Sequence, residues 1–130
     1  MKRHCVLIVE DDRLALRLYS DLFQMRGHLA LQAAEIDEAR QLAREVRPNL
    51  IILDVGLPDG SGIDLCRSLK AEPRTGDIPI LIITYWPEFR IRARAAGCDG
   101  FLVKPVPVSK LLEAAGVLLS DRTLGLSHPL

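Results

Sequence analysis

Apolar residues fall into two kinds of stretch along this chain, and the two alternate. Short runs rich in Val and Ile stand at 5 to 9 (CVLIV), 50 to 53 (LIIL), 78 to 83 (IPILII) and 101 to 103 (FLV). Runs of this length without polar alternation predict strands buried on both faces, as in a parallel sheet. HLALQAA, 28 to 34, predicts a weaker strand. Between these runs the period changes. In DRLALRLYSDLFQMRG the residues Leu14, Leu18, Leu22 and Met25 recur every three or four positions, which predicts a helix over 13–26 with Gly27 at its C-terminal cap. IDEARQLAREV predicts a second helix, stopped by Pro48. Ser61 is placed to cap a third in SGIDLCRSLKAE, which ends before Pro73. Pro87 stands in the first turn of a fourth, PEFRIRARAAG, and PVSKLLEAAGVLLS predicts the last.

Five strands and five helices alternating at roughly 25 residues per unit imply right-handed crossovers and a parallel sheet covered on both sides. The expected fold is a flavodoxin-like doubly wound α/β domain with a five-stranded parallel sheet and five helices. A length of 130 residues suits one core rather than two. The domain is expected to occupy 1–120, and 121–130, which has no periodicity, is expected to form a flexible C-terminal tail.

Composition narrows the function classes. Apolar residues make up 48% of the chain, enough for a proper core, and 17 basic residues balance 17 acidic ones. No global field draws the protein to nucleic acid or to an anionic membrane. No run approaches the roughly 20 apolar residues of a membrane span. Cys5, Cys66 and Cys98 are odd in number, with no zinc-ligand spacing, which fits a reducing cytoplasmic setting. His4, His28 and His128 are too scattered to form a ligand set.

The chemistry gathers where the strands end. In an open α/β sheet, ligands bind beyond the carboxyl ends of the strands. Glu10, Asp11 and Asp12 follow the first run, Asp54 the third, Thr84 the fourth, and Lys104 with Pro105 the fifth. Taken singly each has a plain reading: Asp12 caps a helix, Thr84 is a strand residue, Lys104 a surface ammonium. Taken together, Glu10, Asp11, Asp54, Thr84 and Lys104 should meet in one crevice. Like charges about 4 Å apart repel by roughly 4 kcal/mol per pair near the protein surface, so three carboxylates call for a cation. Hard oxygen donors suit Mg²⁺, and an aspartate in such a site can act as a nucleophile toward a phosphoryl group.

LIVEDD, LIILDVGLPDGSG, IPILIIT and GFLVKP, in this order, resemble the receiver domain of two-component response regulators, over residues 4 to about 120. The resemblance implies a phosphorelay switch, not a metabolic enzyme, that catalyses only its own phosphorylation and dephosphorylation. Asp54 matches the phosphoacceptor, and the phosphoryl group would come from a sensor histidine kinase or a phosphotransfer protein. Glu10, Asp11, Asp54 and the backbone carbonyl of Gly56 match the Mg²⁺ ligands. Thr84 and Lys104 match the hydroxyl and the ammonium that meet the phosphoryl oxygens. Phe101 matches the aromatic whose rotamer follows the threonine, and Pro105 matches the proline reached through a cis peptide. Phosphorylation would then favour a homodimer or a protein partner, with no direct binding of nucleic acid or membrane by this domain.

Two features depart from the family pattern. Tyr85 and Trp86 follow the threonine, where a small residue is usual, and the interval from Thr84 to Lys104 is shortened. A bulky Tyr85 is expected to narrow access to Asp54, which keeps a pseudo-receiver that acts only as a docking module as the rival reading. A Mg²⁺-dependent phosphohydrolase would instead need a D-x-D pattern after the first strand, and VEDDR lacks it. Arg90, Arg92 and Arg94 do not share one face and are expected to be solvated. No output module follows the fifth helix, so the output is expected through a partner or through a longer chain.

Overall fold

The computed structural model describes residues 3–124, with side chains to residue 120. Its elements run β1 (Cys5–Val9), α1 (Arg13–Met25), β2 (Leu29–Ala33), α2 (Ile36–Val46), β3 (Leu50–Asp54), a hairpin of β4 (Gly56–Leu57) and β5 (Gly60–Ser61), α3 (Gly62–Ala71), β6 (Ile80–Thr84), α4 (Arg90–Ala95), β7 (Gly100–Val103) and α5 (Val108–Leu124). The main sheet has five parallel strands in the order β2-β1-β3-β6-β7. This is the flavodoxin-like doubly wound fold. Helix α5 carries the backbone to Leu124, past the expected boundary at residue 120. His128 and the rest of 125–130 lie outside the described residues.

Each central strand is apolar on both sides because each side meets a helix layer. Leu7, Val9, Ile51, Leu53, Ile80 and Ile82 pack with residues of α2, α3 and α4, including Ala39, Ala43, Leu65, Leu69 and Ala93. Their alternate neighbours Val6, Ile8, Leu50, Ile52, Leu81 and Ile83 pack with Phe23 of α1 and with Leu111, Ala115 and Leu119 of α5. The period of two along the strands thus divides one apolar run between two cores.

Local signals set the helix ends. Asp12 accepts from the Leu14 N–H and caps α1, while Ser61 accepts from the Ile63 N–H and caps α3. Gly27, at φ 86°, follows α1. The helix expected over 87–97 is shorter: Pro87–Phe89 forms a 3-10 turn, and α4 proper spans Arg90–Ala95. Between Asp54 and α3, β4 and β5 pair as a short antiparallel hairpin.

The stripe that marks α1 in the sequence is not its buried face. Leu14, Leu18 and Met25 are 76%, 58% and 84% exposed. Ser20 and Phe23 are buried instead, with Leu16, Tyr19 and Leu22 packed beside them. At 100° per residue Leu14, Leu18 and Met25 lie opposite Leu16, Tyr19, Ser20 and Phe23, and Leu22, the one member of the stripe that packs on the core, lies between the two sets. Burial went to the side with the bulkier Phe23, and Ser20 is tolerated there because it donates to the Leu16 carbonyl at 2.7 Å and accepts from Gln32 at 2.8 Å. Ile82→Ala should therefore destabilise the fold by ~2–5 kcal/mol, and Leu14→Ala should change it by no more than ~0.5 kcal/mol. Urea unfolding of the two variants measures both.

Candidate functional site

Four parallel strands deliver their last residues to one end of the sheet. Glu10 and Asp11 follow β1, Asp54 closes β3, Thr84 closes β6 and Lys104 follows β7. The Lys104 ammonium lies 2.7 Å from Glu10 Oε1 and 3.6 Å from Asp54 Oδ2. One carboxylate oxygen from each of Glu10, Asp11 and Asp54 falls within 4.8 Å of the others. Glu10 is buried, Asp54 half-buried and Asp11 exposed, so the cluster runs from the core to solvent. The pair from Lys104 to Glu10 is almost fully enclosed, and removal of either partner would leave an uncompensated buried charge.

Backbone bonds hold the groups in place. The Glu10 N–H donates to the Ala33 carbonyl at 3.0 Å, and the Lys104 N–H to the Thr84 carbonyl at 2.7 Å. Asp54 Oδ1 accepts from the Val55 N–H at 2.8 Å. Thr84 is buried, and its hydroxyl accepts from the Trp86 N–H at 3.3 Å. The Lys104–Pro105 peptide is cis. Gly56 lies in the hairpin directly after Asp54, paired with Ser61. Phe101 lies on β7 in register with Ile82, and the Arg90 guanidinium sits 4.7 Å above its ring.

The chain is similar to known proteins along nearly its whole length. The model of the response regulator receiver domain matches residues 6–116. The chain belongs to the response regulator receiver domain family. The polar-differentiation response regulator DivK of Brucella anthropi is 35% identical over 120 residues, covering 89% of this chain and 96% of that protein. A putative response regulator from Chloroflexus aurantiacus J-10-fl superposes with a TM-score of 0.87 at 30% identity, over 92% of this chain and 99% of the other. For the chemotaxis response regulator CheY4 of Vibrio cholerae the TM-score is 0.84 at 28% identity, over 90% and 99% of the two chains.

Tyr85, expected to narrow access to Asp54, has its place at the site of this receiver domain, and Tyr19 gains one that spacing did not give. The Tyr85 ring covers Lys104, with the ammonium 5.0 Å from the ring centroid, while the side chain stays 63% exposed. Tyr19 joins it from α1. Leu18, Tyr19, Leu22, Tyr85, Lys104 and Val108 line a largely apolar cavity of about 240 Å³ beside the acid cluster. Burial raises the Tyr19 phenol above its ordinary value, with Lys104 acting against that shift. No single-residue signal marks Tyr19, because its side of α1 is distinguished only by packing.

Electrostatics in this receiver domain favour a cation. Three carboxylates against one ammonium leave a formal charge of 1 − 3 = −2 when all are ionised. Burial first, then the charge of Glu10 and a hydrogen bond with it, raise the Asp54 carboxyl to about 6 against the opposing effects of Lys104 and the Val55 N–H. Burial also opposes the Lys104 ammonium, but the Glu10 hydrogen bond and the charges of Asp54 and Glu10 outweigh it and raise its pKa. The donor set fits a hard divalent ion: carboxylate oxygens, little competing nitrogen or sulfur, and one open side.

Because the folded chain binds the Asp54 proton more tightly than the unfolded chain, the stabilisation is present below about pH 4 and is lost as pH rises through about 6. Asp54→Asn should remove that slope. It should make the metal-free protein more stable at pH 7 by ~1–2 kcal/mol after solvent screening, and by nothing below pH 4. Urea unfolding with a chelator at several pH values tests this.

Proposed function

We propose that this receiver domain is a phosphoacceptor switch, with Asp54 as the residue that takes the phosphoryl group. The observation that carries the reading is the convergence of Glu10, Asp11, Asp54 and Lys104 from three strand ends within one crevice. An Asp54 carboxylate oxygen attacks the phosphorus of a phosphohistidine on a sensor kinase or phosphotransfer protein. The P–N bond breaks, the imidazole keeps the electron pair, and an acyl phosphate forms on Asp54. Water later cleaves the acyl phosphate, releasing inorganic phosphate and restoring the carboxylate.

Glu10, Asp11, Asp54 and the Gly56 carbonyl would hold Mg²⁺, which when bound offsets the negative charge on the transferring oxygens. Lys104 turns from Glu10 to a phosphoryl oxygen, and the Thr84 hydroxyl releases the Trp86 N–H to donate to another. Movement of Thr84 leaves room for the Phe101 ring, while Pro105 shapes the loop behind Lys104. The exposed Leu14 and Leu18 and the apolar cavity beside Tyr85 suit the apolar face of a histidine-bearing helix from the donor. The phosphorylated form then engages a second copy of the chain or another protein. A cytoplasmic location suits three free cysteines and a donor of this kind, and no helix among the described residues is long and apolar enough to cross a membrane.

One observation favours a second reading. The Tyr85 ring already occupies the outer side of Lys104, which suits a pseudo-receiver that docks a partner without accepting phosphate. Incubation with acetyl phosphate and Mg²⁺, followed by intact-mass measurement, separates the two. The first reading predicts a gain of one phosphoryl group that needs Mg²⁺ and is absent from Asp54→Asn. No gain supports the docking module, and a gain undiminished in that variant puts the phosphoryl group on another residue and overturns Asp54 as the acceptor.

A further inference from the structure

The hairpin after Asp54 is too small to hold its own shape. It has two rungs, Gly56 with Ser61 and Leu57 with Gly60, and its base is closed by the Gly62 N–H donating to the Val55 carbonyl at 2.7 Å. Isolated two-stranded hairpins of greater length are only marginally stable. Yet this one carries the Gly56 carbonyl, and its base bears directly on the phosphoacceptor: a Cβ on Gly62 would collide with the Asp54 carbonyl. Something outside the hairpin must fix its tip.

Helix α2 has the complementary problem. Its N-cap residue, Glu35, makes no side-chain cap bond, so the first N–H groups of the helix need acceptors from elsewhere. Asp59, at the hairpin tip, supplies them. Its Oδ1 accepts from the Ile36 N–H at 2.8 Å and its Oδ2 from the Asp37 N–H at 3.3 Å, across 23 and 22 residues of sequence. The approach is close, since a Cβ on the neighbouring Gly60, at φ 152°, would come within 2.8 Å of Ile36 Cδ1. Asp37 and Glu38 put two further acids in the same helical turn. The contact therefore persists against like charge, which makes the directed N–H bonds, and not net charge, its basis.

We propose that Asp59 is a positioning residue for the cation site: by gripping the N-terminus of α2 it fixes the hairpin and so holds the Gly56 carbonyl and the Asp54 backbone where the ion is bound. This rests on the reading that Glu10, Asp11, Asp54 and Gly56 hold Mg²⁺. The role differs from helix capping alone, and a second residue at the same helix end separates them. Glu38 reaches back to the Ala34 N–H at 3.0 Å, a bond within the entry to its own helix.

Mg²⁺ titrations of the whole chain, followed by amide NMR at Asp54 and Gly56, provide the test and report folding in the same spectra. Asp59→Ala should lower Mg²⁺ affinity about tenfold, at the lower end of the effect of supporting residues on metal sites. Asp59→Asn, which keeps one acceptor oxygen without the charge, should remain within about threefold of the unsubstituted chain. Glu38→Ala should leave the affinity unchanged. Unchanged affinity in Asp59→Ala overturns the proposal, and so does an equal loss in Glu38→Ala. A loss in Asp59→Asn as large as in Asp59→Ala assigns the effect to charge and overturns it as well. If the unsubstituted chain shows no Mg²⁺-dependent shift, the metal-site reading falls and the proposal falls with it; a shift that Asp59→Ala leaves intact removes the proposal alone.

Discussion

Three carboxylates share one crevice with a single ammonium, and this imbalance of charge is the constraint around which the molecule is arranged. Lys104 lies 2.7 Å from Glu10 and 3.6 Å from Asp54, and it can neutralise only part of what surrounds it. In the metal-free state the remainder is carried by a raised Asp54 carboxyl, which burial holds near the middle of the pH range. A group in that condition responds strongly to a divalent ion or to a change in its own charge. The site is thus poised by electrostatics that the fold enforces and that the chain by itself leaves unbalanced.

The sheet enforces it by rigidity. β1, β3 and β6 are apolar on both sides, and each is clamped between helix layers with its polar residues confined to the strand end. A side chain at the end of such a strand has little freedom to retreat from its neighbours. The loops beyond are fixed by cheaper devices: the Lys104 N–H on the Thr84 carbonyl, and Asp59 on the start of α2. The apolar side of α1 that faces outward leaves Leu14 exposed and puts Leu18 at the cavity that Lys104 also lines.

Much of this was legible in the sequence because the signals are local. Asp54, Glu10, Thr84 and Lys104 each close or follow an apolar run, and the topology of a doubly wound sheet carries all such ends to one edge. What was not legible depends on side-chain direction across separate elements. Helix α1 carries two apolar stripes on opposite sides, and periodicity alone does not choose between them; Phe23 does, once it has a core to enter. The grip of Asp59 on α2 joins residues 23 apart, and the segment reads in sequence only as a turn rich in glycine. The placement of Tyr85 over Lys104 and of Arg90 over Phe101 follows from how β6, α4 and β7 pack. The fourth helix lost its first turn to a 3-10 conformation beginning at Pro87.

The central claim is that the crevice is an unbalanced anionic site built for a divalent cation. Thermal unfolding across a series of Mg²⁺ concentrations, for the unsubstituted chain and for Asp11→Asn, tests it most directly, because an ion that binds only the folded state stabilises it by RT ln(1 + [L]/Kd). The account predicts a Tm that climbs with the logarithm of Mg²⁺ concentration in the unsubstituted chain and stays nearly flat in Asp11→Asn. A Tm indifferent to Mg²⁺ in the unsubstituted chain, or the same rise in both proteins, would contradict it.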